Sequence, residues 1–246
     1  MVNQTTNSNS LSQRLHKDLA ALIDSTEPGD RLPTEPKLAQ QLGVSRATLR
    51  EAMRTFETQG LIIRRQGVGT FVVRPTQILE SGLEVLESIE TLAKRSGLPV
   101  ELGDTTIDRR AASNEERDAL SLEIGDNVIS ISRVILAEGR PAAFLVDILP
   151  ERVLPRDELP SDFSGSVLDL LIERGNPQLI NSHCEIAAIA ASSTVARALH
   201  IQRGDAILQF RSHLFALDGR VVDYTYSYFL PGYFRFHVIR DLNKKE

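Results

Sequence analysis

One cysteine in 246 residues, Cys184, rules out an intramolecular disulfide framework and any cysteine-rich zinc site. Long apolar runs are missing too. None approaches the roughly 20 residues that cross a bilayer, and the first residues lack the basic-then-apolar order of a secretion signal, so a reducing, cytoplasmic location is expected. Catalytic signatures are equally scarce: there is no G-x-S-x-G elbow, no Cys/His pair of catalytic type and no phosphate-cradling loop. A general excess of positive charge is also lacking, since a net charge of −5 excludes a protein coated everywhere for nucleic acid. What is present is an ordinary globular composition, 41% apolar and 25% charged, at a length that makes one or two domains. The charge is unevenly placed. Met1 to Pro75 holds 10 Lys and Arg against 7 Asp and Glu, whereas Thr76 to Glu246 holds 18 against 26. A basic head and an acidic remainder suit a chain in which only the head meets phosphates.

The head is organised around Leu32 to Val72. Leu38, Ala39 and Leu42 put apolar groups on one face of a short helix, Gly43 turns the chain, and Ser45 stands at the N-cap of a second helix over Arg46 to Gln59. Leu49, Ala52, Met53 and Phe56 are the buried stripe of that helix, leaving Arg46, Ala47, Thr48 and Arg50 exposed at its start. After Gly60 the period shortens to that of strands: Leu61 to Arg65 and Thr70 to Val73 flank the turn Gln66-Gly67-Val68-Gly69. An earlier helix from Leu11, with Leu15, Leu19, Leu22 and Ile23 at helical spacing, completes a winged helix-turn-helix. Arginines at such a helix start suit guanine edges, at about 1–3 kcal/mol of discrimination for a good bidentate pair, and Ser45 and Thr48 suit phosphates. Taken without the rest of the pattern, Arg46 and Arg50 also fit a merely solvated helix face.

The combination L-P-T-E, L-A-x-x-L-G-V-S-R-x-T-L-R-E-A and G-L-I-x-R-R-x-G-x-G-T-F-V resembles the DNA-binding domain of GntR-type bacterial transcription regulators. The resemblance implies DNA contacts by Ser45, Arg46, Thr48 and Arg50, by Gln66 and Gly67 at the wing tip, and by Lys37 near the family's basic position after L-P-x-E.

The rest of the chain divides as follows. Residues 1–10 are polar and low in complexity, a disordered arm; 11–74 are the reader; 75–98 are a linker and connecting helix; 99–242 are a second domain. In the connecting helix Leu79, Leu83, Leu86, Ile89, Leu92 and Ala93 keep one face apolar, for a dimer seam or for packing on their own domain. Beyond Pro99 the pattern predicts hairpins over Asn127–Leu149 and Ala206–Phe229, a strand over Gln178–Ala188, a final strand over Phe234–Ile239, and helices over Asn114–Leu122, Ser166–Arg174 and Ser192–Leu199. Strands that return by hairpins, with helices laid on them, make an α+β domain with an antiparallel sheet. Ala119 to Ile129 echoes Ala198 to Leu208, each a helix, a Gly-Asp turn and a strand, so two copies of one unit are expected.

This arrangement resembles the UTRA effector-binding domain of the HutC-type branch of GntR regulators, with a chorismate lyase-like architecture, over about Thr106 to Arg240. The resemblance implies a small-metabolite pocket between sheet and helices, and Arg133, Ser166, Asp223 and Tyr228 as effector-binding residues. Positions that are charged or aromatic in the family are aliphatic here, at Ile135, Leu145, Leu168 and Leu230, so an uncharged or apolar effector is expected. A structural alternative pairs Arg133 with Asp223 or Glu185 and puts the tyrosines in the core. His183-Cys184-Glu185 forms no metal site, because neighbouring strand residues point to opposite faces, and no cofactor is expected. The expected protein is a homodimeric regulator of a palindromic operator, not an enzyme, coupled to its effector through Arg74 to Ile78. A constitutive DNA binder with a vestigial pocket, or an enzyme domain fused to a DNA reader using Asp223 with Glu185, are the alternatives.

Overall fold

The computed structural model describes residues 5–65, 67–73, 79–160 and 163–240, and the chain divides into two compact units, Met1–Thr76 and Gln77–Glu246.

In the first unit helix α1 (Thr5–Ser25) precedes α2 (Glu35–Leu42) and α3 (Arg46–Thr58), and a hairpin of β1 (Ile62–Arg65) and β2 (Gly69–Val72) follows. The start of α1 corrects the expected disordered arm: residues 5–10 continue the helix. That stretch holds no proline or glycine, and extending an existing helix adds one hydrogen bond per residue fixed. Pro36 lies in the first turn of α2, where its missing N–H costs nothing, and Gly43 closes the helix at φ 67°, a left-handed conformation favourable to glycine. Leu15, Leu19, Ile23, Leu38, Leu49, Met53 and Phe56 interlock with Ile62 and Val72 of the wing in one core. Each such side chain taken from water stabilises the unit by roughly 1.5–3 kcal/mol. Residues 29–32 extend the wing along β2 through Gly29 N–H to Val72 O, Val72 N–H to Asp30 O and Leu32 N–H to Thr70 O, each 2.8 Å.

The second unit is built twice over. Strand β4 (Val100–Ala111), helix α5 (Asn114–Leu120) and the hairpin β5 (Asn127–Ala137) and β6 (Arg140–Pro150) are matched by β7 (Leu179–Ala190), α7 (Ser193–Ala198), β8 (Ala206–Ala216) and β9 (Val221–Phe229). The expected echo extends to single hydrogen bonds. Ser113 and Ser192 cap their helices by accepting from Glu116 N and Val195 N, both at 3.3 Å. Asp126 and Asp205 each accept the backbone N–H of the residue three places back, Glu123 and Gln202, both at 3.0 Å. Gly125 and Gly204 sit at φ 97° and 92° in the two turns. Antiparallel pairing of β6 with β9 joins the copies into one six-stranded sheet of order β4-β5-β6-β9-β8-β7.

Residues expected as linker and connecting helix belong to this unit instead. Leu79–Gly82 is strand β3, paired in parallel with β10 (Phe234–His237), and only Ile89–Ser96 is helical, as α4. Local periodicity could not reveal that change, because β3 acquires its partner from more than 150 residues away in the chain. The same pairing takes the final strand out of the main sheet and ends it at His237 rather than Ile239. Leu79, Leu92, Ala93 and Leu98 pack together within this unit, whereas Leu83 and Leu86 of the same expected face are exposed. Helices α4 and α6 (Val167–Arg174) lie on one face of the sheet, and α5 and α7 on the other.

Candidate functional site

At the start of α3 the Ser45 hydroxyl accepts from Thr48 N at 3.1 Å and lies 2.8 Å from the Thr48 hydroxyl. One hydroxyl hydrogen is used inside that pair and the other is left to donate outward. Ser45, Arg46, Thr48 and Arg50 are exposed, while Leu49 between them is buried, as the helical period requires. Arg50 is held rather than loose: its Nε donates to Glu35 Oε2 at 2.6 Å. Glu35, the acid of L-P-T-E, was not singled out in the sequence, although its place at the first turn of the preceding helix puts it opposite α3. Lys37 is exposed one residue after Pro36. In the wing, Gly67 turns the chain at φ 73°, and Gln66 lies outside the described residues. Two wing arginines went unremarked in the sequence. Arg65 stands over the Phe71 ring at 5.2 Å, and the Arg31 guanidinium fills the space where a Cβ on Gly69 would lie.

The second unit holds a half-open cavity of about 570 Å³ between the sheet and the segment of β3 and α4 with the start of α6. Sheet register decides its floor. One row across β5, β6, β9, β8 and β7 reads Arg133, Leu145, Ser227, Phe210, Ile186, and the next reads Ile131, Asp147, Thr225, Ser212, Cys184. Asp223 is one step further along β9, opposite Leu214. Arg133, Ser166 and Asp223, far apart in the chain, therefore meet around one space. Tyr228 does not. It has the opposite strand parity to Asp223 and stacks on Phe144 across the other face, with Tyr224 and Tyr226 beside it. The two-residue period of a strand puts Tyr228 and Asp223 on opposite faces, and of the β9 aromatic side chains only Phe229 faces the cavity. The same parity separates Cys184, on the cavity side, from His183, whose ring stands 6.5 Å from that of His213 on the far side.

Arg133 is almost completely buried. Its Nη1 donates to Glu90 Oε1 at 2.6 Å and to Gly165 O at 2.5 Å, and its Nη2 donates to Asp147 Oδ2 at 3.1 Å. The partners expected for it, Asp223 and Glu185, are engaged elsewhere. Glu185 pairs with Arg211 on the exposed face, and Asp223 accepts from Ile148 N at 3.1 Å. Two carboxyls in one dry place cannot both ionise cheaply. Burial, reinforced by the charge of Asp147, pushes the Asp223 carboxyl well above its ordinary range. Burial raises Asp147 as well, although the Arg133 guanidinium opposes that rise. Asp223 is thus the proton holder of the pair, hydrogen bonded to Asp147. Asp147 escaped notice in the sequence despite being the lone acid within Ala142 to Pro150; Glu90 offered no comparable signal. Of the aliphatic replacements, Leu145 and Leu168 line the cavity while Leu230 packs on the α7 side.

Comparison with known proteins matches residues 10–72 to the gntR family of bacterial regulatory proteins and residues 97–235 to the UTRA domain. The chain is 29% identical to the HTH-type transcriptional repressor NagR of Bacillus subtilis, over 82% of each protein. It is 30% identical to the histidine utilization repressor of Pseudomonas putida, over 76% of this chain and 74% of that one. Among solved structures, PhnF from Mycobacterium smegmatis shares the fold with a TM-score of 0.61 at 21% identity, over 92% of this chain and 99% of that one.

Proposed function

The chain belongs to the gntR family of bacterial regulatory proteins and carries a UTRA domain, and on that premise we propose a repressor whose hold on its operator is set by a small molecule in the second unit. The observation that carries the reading is the exposed row Ser45, Arg46, Thr48 and Arg50 on the first turns of a well-capped helix in the basic part of the chain. Arg46 and Arg50 read base edges, with Arg50 aimed by Glu35; Ser45, Thr48 and Lys37 hold phosphates, and the wing lies in the neighbouring groove with Gly67 at its tip. Two copies of the chain bind a palindromic operator, since a symmetric DNA site mirrors a protein two-fold. The repressing sense is taken from the names of NagR and the histidine utilization repressor.

The effector occupies the cavity lined by Arg133, Ser166 and Asp223 and brings no negative charge to it, because Arg133 is already committed to two carboxylates. Such a ligand alters DNA affinity only by its differential affinity for the DNA-competent and incompetent arrangements. The segment Arg74 to Ile78, through which that coupling is expected to run, lies outside the described residues. Fluorescence anisotropy on labelled duplexes from the region upstream of the chain's own gene tests the reading. Nanomolar binding of one duplex, weakened by salt and by Arg46→Ala, is expected. Indifference to every such duplex at low salt would overturn it.

A further inference from the structure

The chemical class of the effector is written in the charge of the cavity, an inference that rests on reading the cavity as the effector site. Carboxylates reach this space from three places in the chain: Glu84, Glu87 and Glu90 from the β3–α4 segment, Asp147 from β6 and Asp223 from β9. Among the described residues of the lining, Arg133 is the one basic side chain. Two of the acids are answered outside the cavity, Glu87 by Arg95 at 2.6 Å and Glu84 by the backbone N–H of Ile239. Of the other three, Glu90 and Asp147 both pair with Arg133, and Asp223 accepts from Ile148 N instead, so one guanidinium answers two carboxylates and the lining keeps surplus acid.

Two buried atoms here lack a hydrogen-bond partner: Oε2 of Glu90 and Nε of Arg133, whose side chain is only 3% exposed. Unanswered buried polar atoms are uncommon in folded proteins, and each calls for a partner that a water or a ligand can supply. The first needs a donor, which a charged N–H supplies; the second needs an acceptor, which the charged group of a cation does not supply. Beside them Phe210, Phe229 and Phe236 form a three-ring cluster, with centroids 4.5 to 5.1 Å apart, which also lines the cavity. Ring faces and carboxylates attract the same kind of charge.

We propose that the ligand is an organic cation, a protonated amine, amidine or guanidine on a flat apolar body, with its charged N–H groups at Glu90 and the Asp147–Asp223 pair and its body against the phenylalanines. An anion would add to the surplus negative charge of the lining. A neutral ligand would leave that surplus unanswered. Leu145 and Leu168 leave that part of the lining without charge, and the carboxylates assembled by the fold set the preference for a cation.

The test uses the full-length protein and two matched sets that differ chiefly in charge: benzamidine, benzamide and benzoate, and phenethylamine, 2-phenylethanol and phenylacetate. Binding is followed by thermal shift and calorimetry at neutral pH. The cation of each set is expected to bind at least about ten-fold more tightly than its neutral partner, equivalent to about 1.4 kcal/mol, with no binding of the anion. Glu90→Gln is expected to lower that preference several-fold. Equal or tighter binding of a neutral or anionic member overturns the cation assignment and leaves the effector site standing. Silence from all six compounds at millimolar concentration, by both methods, overturns the site as well. The ranking within each set is measured on the unaltered chain, so it stands even where a variant fails to fold.

Discussion

Replacing Arg133 by methionine keeps most of the side-chain length and removes the charge that three groups rely on. In the native unit the guanidinium satisfies Glu90 Oε1, Gly165 O and Asp147 Oδ2. The Asp147 side chain is 11% exposed and that of Glu90 26%. Water can therefore reach Glu90 in part and Asp147 hardly at all, so the dominant loss is the stranded charge of Asp147. Breaking a buried pair from one side costs about 3–5 kcal/mol, a large fraction of the roughly 5–15 kcal/mol that holds a typical domain together. With an m-value of about 2–3 kcal/mol/M, the urea midpoint of the second unit should fall by about 1–2.5 M, read by far-UV circular dichroism because the chain has no tryptophan. The loss should also depend on pH. Without Arg133, the folded-state pKa of Asp147 rises further above its ordinary value, so the folded form binds a proton more readily than the unfolded chain. Stability from such a group is intact below the unfolded pKa and is lost as pH rises toward the folded one. The gap between variant and parent should therefore narrow as the pH is lowered from neutral, and the double variant Arg133→Met/Asp147→Asn should recover much of the loss at neutral pH. A deficit under about 1 kcal/mol at neutral pH, or one that neither acid nor the second substitution relieves, would refute this account of the site.

Three further outcomes are expected. Asp223→Asn mimics the protonated carboxyl: relative to the parent it should gain stability as pH rises above the carboxylate range, since a buried acid with a raised pKa is penalised there, and a thermal melt series against pH checks this. Arg46→Ala and Arg50→Ala should each weaken operator binding by about 1–3 kcal/mol and flatten its salt dependence, measured by anisotropy at several salt concentrations. Ser113→Ala breaks a capping box in the first copy of the repeated unit, and Ser192→Ala removes the matching cap in the second; each should cost about 0.5–2 kcal/mol in denaturant titration, and a loss at one site with none at the other would count against the equivalence of the two copies.

The first unit could be read in advance because its information is local. Ser45, Gly43, the apolar spacing of α3 and the glycines of the wing each specify the backbone within a few residues, and the helix faces follow from the 3.6-residue period. The Gly-Asp turns were likewise legible, since both copies of the repeat carry the same short-range hydrogen bonds. Strand parity was legible as well and was misapplied to Tyr228, whose separation of five residues from Asp223 already put it on the other face.

By itself, then, the sequence determined the helices of the first unit from Leu11 on, the helices, turns and hairpins of the second unit beyond Pro99, and the row of side chains at the start of α3, because these depend on contacts between residues near one another in the chain. Only the tertiary structure decided that Leu79–Gly82 is a strand and that Asp147 and Glu90, rather than Asp223 and Glu185, take the charge of Arg133. It also decided that the cavity is acidic. Those outcomes depend on which distant strands become neighbours and in what register, and the pairing of β6 with β9 and of β3 with β10 is settled by the energy of the whole unit, leaving no local mark on the residues it joins.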